Sequence, residues 1–189
     1  DVLDISRIEN MARQCPPGAE GVLFLPTLMG WRTPYWDPNT RGVLMGFTLY
    51  HDRRHIARAV YEGVAYALNS CRECICECVG EMKNMMFTGG GARSAPWLQM
   101  QADIFGKEVY TSKMLEQAGV GAAICAGVGA GVYESWQQAC DTVIRWNDTP
   151  AVPDLKGTAR YAEYRELFRA LYQSNRELMH RCTALSRQE

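Results

Sequence analysis

Thr88-Gly89-Gly90-Gly91-Ala92-Arg93-Ser94 is the stretch on which the fold turns. Lys83–Thr88 in front of it reads as a strand of the buried kind, and Ser94–Phe105 behind it reads as a helix. Three glycines at such a junction let the backbone bend sharply and lie against a ligand, because no Cβ stands in the way. The helix start near Ser94 is expected to offer unpaired N–H groups and the positive end of its dipole. Phosphate or a nucleotide is a natural guest there. The same triplet also reads as a tight turn that merely joins strand to helix. Two common phosphate motifs are excluded. No stretch fits G-x-x-x-x-G-K-[ST]. The run lacks the third glycine of a dinucleotide fingerprint, and the next strand, Lys107–Thr111, ends in Thr111-Ser112 where an NAD site needs Asp or Glu. A dinucleotide-binding domain is therefore only a secondary reading.

Working outward, Asp4–Gln14 reads as a short amphipathic helix stopped by Pro16-Pro17-Gly18, and Val22–Leu25 as a strand. Pro26–Gly42 is a loop rich in Gly, Pro and aromatics, the composition of a loop that must hold a shape. From about Asp52 to Val79 the pattern is helical, with Ile56, Val60, Gly63, Ala67, Cys71, Cys74 and Cys78 forming one expected buried stripe. Gln117–Val128 is a helix of small residues, and Ser135–Ile144 is another helix. About Gly157 to Ala184 is a terminal helix facing the core through Tyr161, Tyr164, Phe168, Leu171 and Tyr172. Alternation of strand and helix in the middle implies an α/β layer with crossover connections. Few strands are available for a sheet of that kind.

The 189 residues suit one domain with its own core. With 47% hydrophobic and 22% charged residues and a net charge of −1, the balance is globular, and no basic stripe points to nucleic acid. No apolar run approaches the ~20 residues that span a bilayer, so no membrane partner is expected. The eight cysteines lie mostly in helical or apolar stretches, which favours a reducing cytoplasm.

Four ordered segments carry a resemblance. They are Leu23-Phe24-Leu25-Pro26 with Arg32-Thr33-Pro34-Tyr35-Trp36-Asp37-Pro38 and Arg41-Gly42; Gly46, His55-Ile56 and Ala59-Val60-Tyr61-Glu62-Gly63; Thr88–Ser94 with Trp97, Gln99 and Ala102-Asp103; and Gly119, Gly121-Ala122-Ala123 with Ala126-Gly127. Together, from about Ile5 to Tyr172, they resemble the FGGY family of carbohydrate kinases, nearest its xylulose-phosphorylating branch. The resemblance implies a ribonuclease-H-like α/β fold of the actin and hexokinase type, with residues 1–189 as a C-terminal ATP-binding domain. It also implies ATP with Mg²⁺ on its phosphates, and a ketopentose, D-xylulose, as acceptor. The N-terminal sugar-binding domain with its catalytic aspartate, and the first strands of the C-terminal core, are then expected to precede Asp1. That would make the chain a piece of a longer protein, inactive alone, and would account for the scarcity of strands. An edge left by absent strands would favour pairing, so a homodimer or a non-catalytic partner module is the alternative.

Carried over by resemblance, Gly90 and Gly91 would meet the α-phosphate and ribose region through backbone N–H groups, and Gly89 belongs to the same ATP-binding turn. Ala92, Ser94 and Ala95 would lie near the adenine or ribose edge. Arg32, Thr33, Pro34, Tyr35, Trp36 and Asp37 would sit at the interdomain cleft. Gly119 and Gly121 would pack closely beside the nucleotide, and Glu62 would brace its helix. The branch usually carries Glu where Trp31 stands here. Asp37 is the tempting base, but an Asp before Pro more often shapes a turn. Asp103 reads as structural. The run Cys71-Arg72-Glu73-Cys74-Ile75-Cys76-Glu77-Cys78 looks metal-like, yet one helix face does not make a tetrahedron, so no metal site is expected. His51 and His55 read as capping or surface groups, and His180 as solvated. Trp31, Tyr35 and Trp36 are candidates for stacking on a ligand or plugging an interdomain contact.

Overall fold

The computed structural model describes residues 4–114 and 116–186. In chain order the elements are α1 (Ile5–Arg13), β1 (Leu23–Leu25), β2 (Val43–Met45), α2 (Arg53–Val79), β3 (Met85–Phe87), α3 (Ala95–Phe105), β4 (Val109–Thr111), α4 (Gln117–Gly129), α5 (Trp136–Val143) and α6 (Leu155–Leu185). Two two-stranded sheets form. β1 and β2 pair antiparallel, with Phe24 opposite Leu44. β3 and β4 pair parallel, with Met86 opposite Tyr110, and α3 supplies the crossover.

Local chemistry sets most boundaries. Asp52 caps α2 by accepting from the Arg54 amide, and His55 Nδ1 accepts from the Asp52 amide in return, a reciprocal capping box. Asp154 caps α6 by accepting from the Lys156 and Gly157 amides, and Ser135 caps α5 by accepting from the Gln138 amide, each without a return bond. Gly106 ends α3 at φ 62°, a left-handed conformation that favours glycine.

The core forms where α2, α3 and α6 close on β1 and β4. Leu25, Tyr66, Ile104, Val109, Tyr161 and Phe168 are buried there. Each fully buried apolar side chain of this size stabilises the fold by roughly 1.5–3 kcal/mol. The face of α2 that is buried differs from the expected stripe. Of that stripe Gly63 is buried, Ala67, Cys71 and Cys74 are half-buried, and Ile56 and Val60 keep more than a third of their surface exposed, whereas Arg58, Glu62, Tyr66, Asn69 and Ser70, none of them expected inside, are buried. The reason is a polar network rather than an apolar one. Glu62 accepts from Arg58 Nε (2.6 Å), the Tyr161 hydroxyl (2.7 Å) and the Gly18 amide (2.9 Å). A buried charge survives only when so satisfied. Burial acts to lower the Arg58 pKa, but Tyr161 and Glu62 outweigh it and hold the guanidinium above its ordinary range. Glu62 thus ties α2 to α6 and to the turn before β1.

Two further expectations are corrected. β3 is only half-buried, because among the described residues it has a strand neighbour on one side. β2 lies where no strand was expected, and it covers the edge of β1.

Candidate nucleotide site

The chain leaves β3 at Thr88 and enters a 3₁₀ turn over Gly90–Arg93 before α3 begins. Gly89 adopts φ 81° and ψ −167°, a region open essentially to glycine alone. Its conformation turns the backbone out of the strand. The Ala92 amide donates to the Gly89 carbonyl (3.1 Å) and the Ser94 amide to the Gly91 carbonyl (3.2 Å). The amides of Gly90 and Gly91 make no hydrogen bond to a described residue, and both glycines are exposed. A Cβ on Gly90 would meet open space, while one on Gly91 would stand 3.2 Å from Trp97 Nε1.

The donors expected from the start of α3 are mostly spent. Ser94 Oγ accepts from the Trp97 amide (3.1 Å), Pro96 has no N–H, and the Leu98 amide reaches the Ser94 carbonyl. Anion-binding capacity therefore belongs to the glycine turn, with Gly90 and Gly91 as donors, rather than to the helix end. Ser94 acts as a cap and Ala95 is exposed at the first helical position. Arg93 was not singled out by sequence reasoning. It lies in the turn, exposed, with no ion pair among the described residues. Its cationic residue type, one position from Ala92, was the available signal.

On the far side of Thr88 lies a cavity of about 190 Å³, lined by Ser112, Met114, Val120, Ile124, Ile144 and Trp146 among others. It sits where β3 and β4 end, the edge at which open α/β sheets place ligands. Sequence reasoning missed it, because Ile144 and Trp146 reach it only through folding.

The Pro26–Gly42 loop is built as a hairpin pinned to α6. The Trp31 amide donates to the Asp37 carbonyl (2.7 Å) and the Asp37 amide to the Trp31 carbonyl (2.6 Å). The Trp31 ring is 7% exposed and edge-on to Tyr35, Phe168 and Tyr172. It therefore plugs the loop onto α6 and is not free to stack on a ligand. The Asp37 carboxylate is 4% exposed and accepts from the Asn39 amide (3.1 Å), the Tyr172 hydroxyl (3.0 Å), Arg176 Nε (3.2 Å) and His180 Nε2 (2.8 Å). Burial would raise its pKa, but the bonds from His180, Asn39 and Tyr172 hold it below the usual carboxylate range. Asp37 shapes the turn and anchors the loop. His180, expected in solvent, is part of that anchor. Arg32, Thr33, Pro34, Tyr35 and Trp36 remain exposed at the tip, and Trp36, 76% exposed, holds φ 47°. Among the described residues, no hydrogen bond or ring contact joins this tip to the glycine turn.

The remaining candidates resolve as follows. Asp103 accepts from Gln99 (2.9 Å) and the Asp154 amide (2.8 Å), which fixes the start of α6. Burial pushes its carboxyl up. Cys71 donates to the Thr33 carbonyl (3.4 Å), Cys74 and Cys76 are half-buried, and Cys78, expected on the buried stripe, is exposed. Gly119 and Gly121 leave room where a Cβ would stand, and Gly121 lines the cavity beside Thr88. Within α4 the close approach to a described side chain is made by Gly127, whose Cβ would meet Tyr133 at 2.7 Å. No helix among the described residues is long and apolar enough to cross a membrane.

Comparison with known proteins completes this picture. The fold is the α/β one of actin- and hexokinase-like ATPases. It superposes on ligand-bound xylulose kinase from Lactobacillus acidophilus with a TM-score of 0.80 and 26% identity, over 91% of this chain and 35% of that one. Plasmodium falciparum glycerol kinase with ADP gives 0.72 and 27%, over 88% and 34%. Residues 5–130 match the FGGY family of carbohydrate kinases, C-terminal domain, and the chain belongs to that family. It is 31% identical to xylulose kinase of Lactococcus lactis over 165 residues, 87% of this chain and 33% of that protein. It is 33% identical to gluconokinase of Bacillus subtilis over 181 residues, 95% and 34%. The chain thus spans about a third of the length of the curated relatives it matches.

Proposed function

We propose that this chain, residues 1–189 as one unit, forms the ATP-holding part of a sugar kinase that transfers the γ-phosphate to a ketopentose, D-xylulose, giving the 5-phosphate. One observation carries the nucleotide reading: two exposed, unpartnered amides, at Gly90 and Gly91, in a turn that opens directly from a parallel strand. They would donate to a phosphate oxygen, and Arg93 would add positive charge beside them. Support for the substrate comes from the xylulose kinases among its relatives, which stand beside gluconokinases and glycerol kinases.

Phosphoryl transfer is chiefly a matter of positioning and electrostatic stabilisation. In this reading the chain's own residues bind and orient, and the base comes from outside it. Thr88–Ala95 contains no carboxylate, and Asp37 is fully engaged by Asn39, Tyr172, Arg176 and His180. Mg²⁺ would fit this arrangement as an ion carried on the phosphates, since the turn itself, Thr88–Ala95, offers no carboxylate to ligate it. The cytoplasm is its expected place of work.

Calorimetric titration of the purified chain with MgADP, MgATP and NAD tests the reading. Adenine nucleotide should bind weakly and NAD more weakly still. Arg93→Ala should loosen ADP several-fold, with a smaller effect at high salt, because an exposed charge is screened. Phosphorylation of xylulose by the chain alone, or tighter binding of NAD, would overturn it.

A further inference from the structure

Trp97 turns the pyrrole edge of its ring towards the glycine turn. A Cβ on Gly91 would stand 3.2 Å from Trp97 Nε1 and 3.4 Å from Cδ1. An indole N–H is a donor and nothing else, and a packed one ordinarily finds an acceptor. Trp31 obeys that rule, giving its N–H to the Thr33 carbonyl (2.6 Å). Trp97 Nε1 makes no hydrogen bond to a described residue, although the Trp97 backbone amide is spent on Ser94 Oγ. Nor is it shut in. Among the described residues, the unpartnered side-chain polar atoms sealed from solvent lie on Tyr66, Gln101 and Thr158. The ring itself is held. It is half-buried, lies 5.1 Å from the Tyr61 ring at 59°, and shares with Ala12, Tyr61, Pro96 and Met100 a cavity of only about 10 Å³.

We propose that Trp97 is a nucleotide-binding residue: its indole N–H is a third donor of the turn, beside the amides of Gly90 and Gly91, and gives its hydrogen bond to the same phosphate group. The inference rests on the nucleotide reading above and adds a residue to it. All three donors are uncharged and sit on held parts, two on the backbone and one on a ring packed against α1 and α2. Donors so placed meet an anion with little loss of side-chain entropy, and a hydrogen bond to a charged oxygen is among the stronger kinds. Arg93, on its long exposed side chain, must be ordered at a cost when it binds. Ser94 serves the same arrangement. Its cap on the Trp97 amide sets the first turn of α3, and with it the direction in which the indole leaves the helix. Glycine at position 91 then has a second use, because a side chain there would press on the edge of the ring that carries the donor.

Nuclear magnetic resonance of the isotope-labelled chain, titrated with MgADP and separately with adenosine, tests this. The Trp97 indole signal is assigned by its contacts with the Tyr61 ring and by its loss in Trp97→Phe. MgADP should move it downfield, and adenosine, which has no phosphate, should leave it in place. Trp97→Phe keeps a ring against Tyr61 and removes the donor. Its affinity for MgADP should fall roughly tenfold, the scale of one hydrogen bond to a charged group, with the thermal midpoint unchanged. Should the variant melt early, the indole signal of the unsubstituted chain decides alone. Three results would overturn the inference and leave the nucleotide reading standing: MgADP binding that does not move the signal, a stable Trp97→Phe chain that binds as the parent does, or adenosine moving the signal as far as MgADP. A chain that binds no MgADP would overturn both.

Discussion

At the scale of single residues, the three glycines of the turn are not equivalent. Gly89 is there for its dihedral angles, Gly91 for the space that Trp97 leaves, and Gly90 for its free amide. A methyl group on Gly90 meets nothing, so Gly90→Ala should change stability by no more than a few tenths of a kcal/mol, about the range of neutral surface substitutions. Gly89→Ala forces a side chain into a conformation that costs of order 1–3 kcal/mol. Urea unfolding of the two variants beside the parent chain should separate them by that amount. Equal midpoints would show that the turn readily takes another path. The run of glycines was legible in the sequence, but their division of labour was not. It depends on where β3 releases the chain and where the Trp97 indole comes to rest, and neither is a local property.

At the scale of elements, the start of α3 shows how a cap and a binding site compete for the same donors. Ser94 accepts the Trp97 amide, and Pro96 has none to give. Ser94→Ala should cost about 1 kcal/mol, the usual value of a lost N-cap. It should also free an amide at the helix end, so ADP affinity should be held or raised while the thermal midpoint falls. A loss of affinity larger than the loss of stability would instead mean that the hydroxyl itself meets the nucleotide. Helix positions were largely legible, because caps, glycines and periodicity are written locally. The orientation of α2 was not. Its apolar positions suggested one face, yet the salt-bridged pair Arg58 and Glu62 took the interior, since Tyr161 and the Gly18 amide were there to satisfy it. β2 was missed for a related reason. Three residues carry little pattern, and β2 exists only because β1 returns to pair with it across the loop.

At the scale of the whole molecule, Asp37 links a loop near one end of the chain to the last helix. Its carboxyl sits lower in the folded chain than in the unfolded one. Acid therefore protonates the unfolded state first, and the stability that Asp37 contributes is complete above about pH 4 and lost as pH falls through the folded value. Unfolding midpoints followed from pH 7 downwards should drop on that limb. Asp37→Asn should start lower and show a flatter acid limb. An Asn variant with the same acid profile as the parent would move the titrating group elsewhere. His180, Arg176 and Tyr172 lie far along the chain from Asp37, so no reading of neighbouring residues could have joined them.

What the sequence determined by itself was the order of the helices and of three of the four strands, the glycine turn between β3 and α3, and membership of a kinase family. Each is encoded in short-range spacing or in ordered motifs, and spacing survives without coordinates. The tertiary structure alone decided which amides stay free of described partners at the turn, which face of α2 goes inside, and that Asp37 is an anchor held by α6. These are decided by whether a donor finds its acceptor across long stretches of chain, and that matching exists only once the elements have closed on one another.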